Sequence, residues 1–237
     1  MTDESSTFTG EFLVPGADER IEADHRARYE WAGAWVQGVH VLDIACGAGY
    51  GSKMLAEAGA QSVVGVDVSD AALDHARRHY GDGDVISFEY GDIATFAGRD
   101  GGYDLVTCFE TIEHVPDYDA ALKNLVRLVA PGGTMLISSP YRPLTTPGAR
   151  SVNAPPRNVF HVREFLPGEL ANAMRAVGFD VEPFVYGQRL QPISLPKVLQ
   201  LLYNRVIMPK TSSRVRSVES AHPRYFCLCA SRPEQAE

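Results

Sequence analysis

Short apolar runs that alternate with helical segments constrain the fold of this chain more than any other feature. The runs are HVLDIAC, SVVGVDV, VISFEYGDI, YDLVTCF and TMLISSP, all between residues 40 and 140. Segments with helical spacing, such as DAALDHARRHY and DYDAALKNLVRLVAPGG, separate them. Near-continuous apolar strands between helices are typical of a parallel sheet covered on both faces. We therefore predict an α/β fold.

The whole chain, residues 1–237, is predicted to form one domain. Three segments of it have special expected roles. Residues 1–18 are polar and are expected to form a mobile N-terminal arm. A helix is predicted at 18–36, a long active-site loop at 141–160, and a helix at 163–179. VEPFVYG and RYFCLCASR are predicted as late strands. Between them lies an irregular insertion at 188–222, expected to act as a lid, with a short helix, LPKVLQLLYNRV.

Composition and charge exclude several classes of protein. The net charge is −8, which disfavours a general nucleic-acid binder because phosphates attract basic surfaces. The exception is a basic cluster of Arg205, Lys210, Arg214 and Arg216. The four cysteines lie in apolar runs without zinc-site spacing and predict buried free thiols. No leader or membrane-spanning stretch is recognised, so a cytoplasmic protein without a membrane partner is expected.

A glycine turn and two aspartates mark the predicted edge of the sheet. VLDIACGAGYG puts Gly47, Gly49 and Gly51 between a strand and a helix, where a ligand can approach the backbone closely. Asp67 and Asp92 end the next two strands, so their carboxylates should lie at the same edge. Ser52 stands where the nicotinamide-binding pattern has its third glycine, which disfavours an oxidoreductase.

These motifs resemble class I S-adenosylmethionine-dependent methyltransferases, strongly over 40–140 and more loosely over 163–187. The resemblance implies a Rossmann-like, seven-stranded, mostly parallel sheet with an antiparallel last strand. It also implies S-adenosylmethionine as cofactor and, as in many members, leaves a homodimer open. The cofactor-binding residues that it implies are Tyr29, Asp43, Ala45, Gly47, Gly49, Asp67, Val68, Asp92, Ile93 and Phe109. Among these, Asp67 would bind the ribose, and Asp92 with Ile93 the adenine edge. Tyr29 or Arg26 would contact the cofactor carboxylate, although Tyr29 equally suits a core position.

The stretch CFETIEHVPD places Glu110, Glu113 and His114 directly after the fourth strand. On one helical turn these three positions face the same way, and two carboxylates with an imidazole could hold a cation. With His161 as a fourth ligand, the set resembles metal-dependent O-methyltransferases and implies Mg²⁺ or another divalent cation. Glu113, His114 and His161 are then the predicted catalytic residues. The alternative is that Glu113 and His114 cap the next helix, with His114 acting as a general base.

The acceptor is predicted to present a hydroxyl group. Phe109-Glu110-Thr111-Ile112 lacks the Asn/Asp-Pro-Pro-Tyr/Phe motif often seen in nitrogen methyltransferases. Aromatic and arginine residues in the loops favour a sugar or oligosaccharide, and these are Tyr141, Arg142, Arg157, Tyr186 and Arg189. A phenolic molecule and an RNA ribose stay open as acceptors. A protein that binds S-adenosylmethionine without catalysis is the alternative of another class.

Overall fold

A computed structural model describes residues 19–192, 199, 203–207, 212–219 and 221–234. The predicted N-terminal arm at 1–18 lies outside the described residues, as does most of the predicted insertion helix at 195–206. Of that helix, Tyr203–Ile207 is described and forms one helical turn.

Five parallel strands form the first part of the central sheet, as predicted. They are β1 (His40–Ile44), β2 (Ser62–Asp67), β3 (Ile86–Tyr90), β4 (Tyr103–Phe109) and β5 (Val129–Pro140). Their order in the sheet is β3-β2-β1-β4-β5. The connections therefore run in opposite directions from β1, and in open α/β sheets ligands bind beside such a reversal, at the carboxyl ends of the strands.

The predicted late antiparallel pairing is also present. Strand β11 (Tyr225–Ser231) pairs antiparallel with β5, and on its other side with β6 (Asp180–Val181) and β7 (Tyr186–Gln188). The expected sixth strand is thus interrupted at 182–185, where Pro183 has no N–H to give to a ladder.

Short pieces of the insertion extend this edge. Strand β9 (Arg216–Ser217) pairs with β7, so the described residues form a nine-stranded sheet rather than a seven-stranded one. Strands β8 (Gln191–Pro192) and β10 (Ala221–His222) pair with each other as a separate two-stranded sheet.

Helices cover both faces of the sheet. They are α1 (Glu19–Ala32), α2 (Tyr50–Glu57), α3 (Asp70–Tyr80), α4 (Tyr118–Leu128), α5 (Arg142–Thr145) and α6 (Pro167–Ala176). Helix α6 starts four residues later than predicted, because proline suits the first turn of a helix and Glu169 accepts a hydrogen bond from the Leu166 N–H (2.8 Å).

No helix in the described ranges has both the length and the apolar character needed to cross a bilayer.

The core lies in layers on the two faces. On one face, Leu122 and Leu125 of α4 pack in a cluster with Val106 and Ile137 of the sheet. On the other face, Leu55 of α2 belongs to a cluster that holds the aromatic side chains of α1 and the start of β4. The five aliphatic side chains named here are less than 2% exposed, so the two layers are well packed and fix the strand ends between them.

Candidate active site

A cleft of about 400 Å³ opens at the carboxyl ends of β1, β2 and β4. The residues that line it are His25, Tyr29, Ala45, Cys46, Gly47, Tyr50, Asp67, Val68, Ser69, Phe109, Glu110, Thr111, His114 and Phe160. Six of the ten residues predicted to bind the cofactor are in this lining. The cleft therefore lies where the glycine turn and the strand-end acids predict it.

The turn after β1 is held in left-handed backbone conformations. The φ angles are 59° at Ala45, 53° at Gly47 and 84° at Gly49. Such angles suit glycine and cost a side-chain-bearing residue about 1 kcal/mol, so Ala45 carries backbone strain in the cleft wall. Gly49 is outside the lining and serves packing instead, because a Cβ there would overlap Ala76 and the Phe88 ring.

Gly51 makes room for Tyr29. A Cβ on Gly51 would fall inside the Tyr29 ring, which packs edge-on against Tyr50 and Phe109. We expect Gly51→Ala to lower the free energy of unfolding by about 2 kcal/mol, because the ring has no space to retreat. Gly168→Ala is the control, since nothing lies within 4 Å of a Cβ there and the change should be neutral or slightly stabilising. Urea unfolding of both variants checks this, and equal stabilities would contradict it.

Asp43 is buried beside the cleft rather than in its lining, which differs from the prediction. Its carboxylate accepts hydrogen bonds from the hydroxyls of Tyr29 (3.1 Å), Ser52 (2.7 Å) and Thr107 (2.8 Å). Burial raises the pKa of Asp43 to about 6, and these three hydroxyls limit the rise. The Tyr29 ring thus lies at the cleft and its hydroxyl bonds to Asp43 in the core, which fits the core position, while its contact with the cofactor carboxylate stays a prediction.

The raised pKa of Asp43 predicts a pH-dependent stability. Because the folded chain holds this proton more tightly than the unfolded chain, the contribution is present below the unfolded pKa and is lost as pH rises through about 6. Between pH 4 and pH 7 the shift corresponds to about 2 kcal/mol, because the unfolded aspartate is already about half ionised at pH 4. We expect the difference in unfolding free energy between wild type and Asp43→Asn to change by that amount over this range. A difference that does not vary with pH would refute the assignment.

Asp67 presents an oriented carboxylate to the cleft. One oxygen accepts the N–H of Gly47 (2.8 Å) and the other accepts the N–H of Ser69 (2.9 Å). Each oxygen keeps a further lone pair, which fits the two hydroxyls of a ribose. Val68 beside it is 55% exposed, and an apolar side chain left open in a cleft wall fits a base such as adenine.

Asp92 and Ile93 lie near this edge but outside the lining. The Gly91 N–H donates to the Asp67 carbonyl (3.0 Å), which brings the two strand ends together. Asp92 is exposed and accepts the Ala94 N–H (2.8 Å), whereas the Ile93 side chain belongs to the core. The predicted contact of Ile93 with adenine therefore cannot involve its side chain in this arrangement.

The segment after β4 does not form the α-helical turn that was expected. Ile112–His114 is a 3-10 turn, and Glu110 precedes it at φ 52°. Glu110 is consequently turned away toward Ser138, whose hydroxyl donates to its carboxylate (2.8 Å) and accepts its N–H (3.0 Å). Burial raises the pKa of Glu110, and the charge of buried Arg28 opposes that rise. Glu110 is therefore not among the residues whose ligand atoms lie within 4.8 Å of one another, although it lines the same cleft as His114.

Glu113, His114 and His161 do come together. One potential ligand atom from each lies within 4.8 Å of the others. Glu113 is fully buried; one carboxylate oxygen accepts the Ser139 hydroxyl (3.2 Å), and the other, Oε1, has no hydrogen-bond partner among the residues that the structure describes. Burial and the neighbouring Glu110 raise the pKa of Glu113 well above its ordinary value. An unpartnered buried carboxylate oxygen beside two imidazoles fits a divalent cation.

The two imidazoles have defined orientations. His114 donates from Nδ1 to the Phe160 carbonyl (2.9 Å), and burial lowers the pKa of His114, so its ring is neutral with a lone pair on Nε2. His161 is hydrogen-bonded to Glu164 (2.9 Å) and Asn158 (2.8 Å), neither of which the sequence pattern identified. The spacing of His161 and Glu164, three residues apart in a loop, was the only available signal.

The loop residues that favoured a sugar acceptor have structural partners instead. Arg142 is 3% exposed and makes two hydrogen bonds with Glu169 (2.7 and 2.8 Å). Arg189 is also buried and pairs with Asp24 (2.6 Å). Two tyrosines of the same set pack on neighbouring rings, Tyr141 on His222 and Tyr186 on Trp31. Four of the five residues are thus held by contacts within the fold and Arg157 is exposed, so loop composition gives little support to a sugar, which stays a prediction. The four cysteines are free and buried, as predicted.

Comparisons with known proteins agree with this fold. Residues 41–133 match the family model described as a methyltransferase domain. A protein of Mycolicibacterium smegmatis named as a probable S-adenosylmethionine-dependent methyltransferase is 33% identical over 74% of this chain and 66% of its own length. A ubiquinone biosynthesis O-methyltransferase of Thiobacillus denitrificans is 34% identical over 71% of this chain and 76% of its own.

Solved structures show the same architecture. An S-adenosylmethionine-dependent methyltransferase from Mesorhizobium loti superposes with a TM-score of 0.63 at 18% identity, covering 90% of this chain and all of that one. The [4+2]-cyclase SpnF superposes with a TM-score of 0.60 at 17% identity, covering 89% of this chain and 82% of that one. Because a cyclase shares the fold, the architecture alone does not define the reaction.

Fold and cleft define a Rossmann-like protein with a nucleoside-binding edge. The chain belongs to the S-adenosylmethionine-dependent methyltransferases.

Proposed function

We propose that the protein transfers a methyl group from S-adenosylmethionine to a hydroxyl of a small molecule, assisted by a divalent cation. The observation that carries this is the buried, unpartnered Oε1 of Glu113 beside His114 and His161. This group lies at the end of the cofactor cleft, since His114 is part of the lining. A hydroxyl placed there would lie between the cofactor edge and the Glu-His-His cluster.

The cleft residues position the two reactants. When bound, S-adenosylmethionine supplies an electrophilic methyl group on a sulfonium. Asp67 would hold the ribose hydroxyls, and Val68 would pack on the adenine. The acceptor oxygen bonds to the methyl carbon as the carbon–sulfur bond breaks, and the electron pair stays on sulfur. The hydroxyl proton must leave. When no cation is bound to His114, its Nε2 lone pair at the cleft can accept the proton, because Nδ1 is used on the Phe160 carbonyl; when Nε2 holds a cation, the proton passes to solvent water.

The cluster would hold the cation through Glu113, His114 and His161. A bound cation would lower the pKa of the acceptor hydroxyl and orient it. Two nitrogen donors and one oxygen donor suit Mn²⁺, Co²⁺ or Zn²⁺ better than Mg²⁺, which prefers oxygen ligands. Our sequence-based expectation of Mg²⁺ therefore becomes one of several cations to test.

An aromatic hydroxyl is the first acceptor class. Several relatives are named as ubiquinone biosynthesis O-methyltransferases, which supports a small-molecule hydroxyl. Phe160 is 53% exposed and lines the cleft beside His114, where its ring could stack on an aromatic acceptor. A sugar hydroxyl is the second class, because exposed aromatic rings also pack on sugar faces, but the loop arginines no longer support it.

The test is methyl transfer from labelled S-adenosylmethionine to catechols and other phenols, sugars and a short RNA. Each reaction is run after EDTA treatment and again with added Mg²⁺, Mn²⁺ or Co²⁺. We expect labelling of a phenol that stops with EDTA and returns with a cation. Activity that is indifferent to EDTA would overturn the metal role and leave His114 as the base. Labelling of sugar or RNA alone would overturn the aromatic acceptor.

A further inference from the structure

A buried carboxylate lies directly behind His161. Glu164 is 1% exposed, and its Oε1 accepts a hydrogen bond from Nδ1 of His161 at 2.9 Å. Its other oxygen accepts the Thr145 hydroxyl at 2.5 Å. Both carboxylate oxygens of Glu164 are therefore used as hydrogen-bond acceptors, one for a ring nitrogen and one for a hydroxyl. A buried carboxylate bonded to one imidazole nitrogen determines what the other nitrogen can do.

Two independent contacts assign the same tautomer to His161. Because Glu164 is an acceptor, Nδ1 of His161 carries the proton. On the other side, Nε2 faces the side-chain nitrogen of Asn158 at 2.8 Å. The Asn158 oxygen is already used as acceptor for the Phe160 N–H (3.1 Å), so its amide nitrogen is the atom that faces the ring. Nε2 therefore carries a lone pair.

The loop that carries His161 and Glu164 is hydrogen-bonded to the turn that carries Glu113. The N–H groups of Val162 and Arg163 both donate to the Glu113 carbonyl, at 2.8 and 3.2 Å. On its far side, Arg142 donates to the Glu164 carbonyl at 2.9 Å. His161 is thus held between Glu113 and Glu164, and its ring meets the His114 ring edge-on at 4.8 Å between centroids.

We propose that Glu164 is a positioning residue that fixes His161 with Nδ1 protonated, so that Nε2 is the nitrogen offered to a cation or to the acceptor's proton. Asn158 holds Nε2 until that ligand arrives and then releases it. The proposal rests on the proposed function of the Glu-His-His cluster. Metal-binding histidines commonly donate their second nitrogen to a carboxylate in this way, and loss of that partner costs about 10- to 100-fold in activity or metal affinity.

Two variants separate the hydrogen bond of Glu164 from its charge. Glu164→Gln can still accept from Nδ1 but is neutral, whereas Glu164→Ala removes the acceptor. We expect turnover to fall by about 10-fold in the first and about 100-fold in the second. The acceptor KM and the affinity for S-adenosylhomocysteine should stay within about twofold, because Glu164 touches neither ligand. Thr145→Val is the matched control, since it removes a neighbour of Glu164 but leaves the His161 contact intact.

A spectroscopic measurement tests the tautomer without any turnover. Ring ¹⁵N shifts are recorded on histidine-labelled protein at a pH where imidazole is neutral, with His161→Gln used to assign the signal. We expect an Nδ1-protonated ring in wild type and in Glu164→Gln, and a mixture of tautomers in Glu164→Ala. An unchanged tautomer or full turnover in Glu164→Ala would overturn the proposal. If no acceptor is methylated, the proposed function fails, yet the ¹⁵N shifts still decide the role of Glu164.

Discussion

Replacing Glu113 with glutamine should reduce methyl transfer by about 100- to 1000-fold while the affinity for S-adenosylhomocysteine stays within about twofold. The glutamine has the same shape, so the fully buried site is not emptied. What is lost is the ability of the unpartnered oxygen to carry a negative charge toward a cation, because burial and Glu110 raise the pKa of Glu113 and a bound cation is what would favour its ionised form. His161→Ala should have an effect of the same order, because it removes a second member of the cluster.

The matched variant for this experiment is Glu110→Gln. The sequence pattern places Glu110 and Glu113 in one metal site, whereas the structure holds Glu110 on Ser138. We therefore expect Glu113→Gln to raise the cation concentration for half-maximal activity by more than about 10-fold, and Glu110→Gln to leave it within about threefold. Equal shifts in both variants would restore the four-ligand site. A parallel loss of S-adenosylhomocysteine binding in Glu113→Gln would mean that the cluster belongs to the cofactor site.

Asp67→Ala should weaken S-adenosylhomocysteine binding by about 100-fold. Hydrogen bonds to a charged group contribute about 1.5–3 kcal/mol each, and loss of about 3 kcal/mol in total corresponds to that factor. The change also leaves the N–H groups of Gly47 and Ser69 without their acceptor, so the turn itself should loosen. Asp67→Asn keeps one acceptor oxygen for these groups, and its affinity should lie between those of wild type and Asp67→Ala.

Isothermal titration with S-adenosylhomocysteine measures these affinities, and circular dichroism checks that the variants are folded. Asp92→Ala is the control at the neighbouring strand end. Because Asp92 is exposed and outside the cleft lining, its loss should cost less than about fivefold in affinity. If Asp67→Ala binds as tightly as wild type, the ribose assignment is wrong. If Asp92→Ala is the weaker binder of the two, the adenine edge contributes more than the ribose.

The parallel half of the fold could be predicted because its signals are local. Each strand from β1 to β4 is a short apolar run that glycine or an acid ends or follows within three residues, and strand ends of a parallel sheet must meet at one edge. The positions of Asp67 and Val68 in the cleft follow from that rule alone. The interruption at Pro183 also had a local signal, since proline cannot continue a ladder.

The rest of the site depends on contacts between distant segments, which no local pattern contains. Glu113 and His114 suit an α-helical turn by spacing, but the left-handed backbone at Glu110 and the hydroxyl of Ser138 set a 3-10 turn instead. The burial of Asp43 among three hydroxyls depends on how α1 and α2 pack on β1 and β4. In the same way, the sequence suggested that Arg142 contacts the substrate that accepts the methyl group, whereas in the fold Arg142 pairs with Glu169.

The hydrogen bonds from Val162 and Arg163 to the Glu113 carbonyl affect which parts of this loop can vary in evolution. They fix His161 by its attachment to the strand-end turn and not by the length of chain that leads to it. The exposed stretch around Gly148, where nothing lies within 4 Å of a Cβ, can then gain or lose residues without displacing the histidine. Insertions and deletions can therefore change this loop while the position of His161 is inherited unaltered.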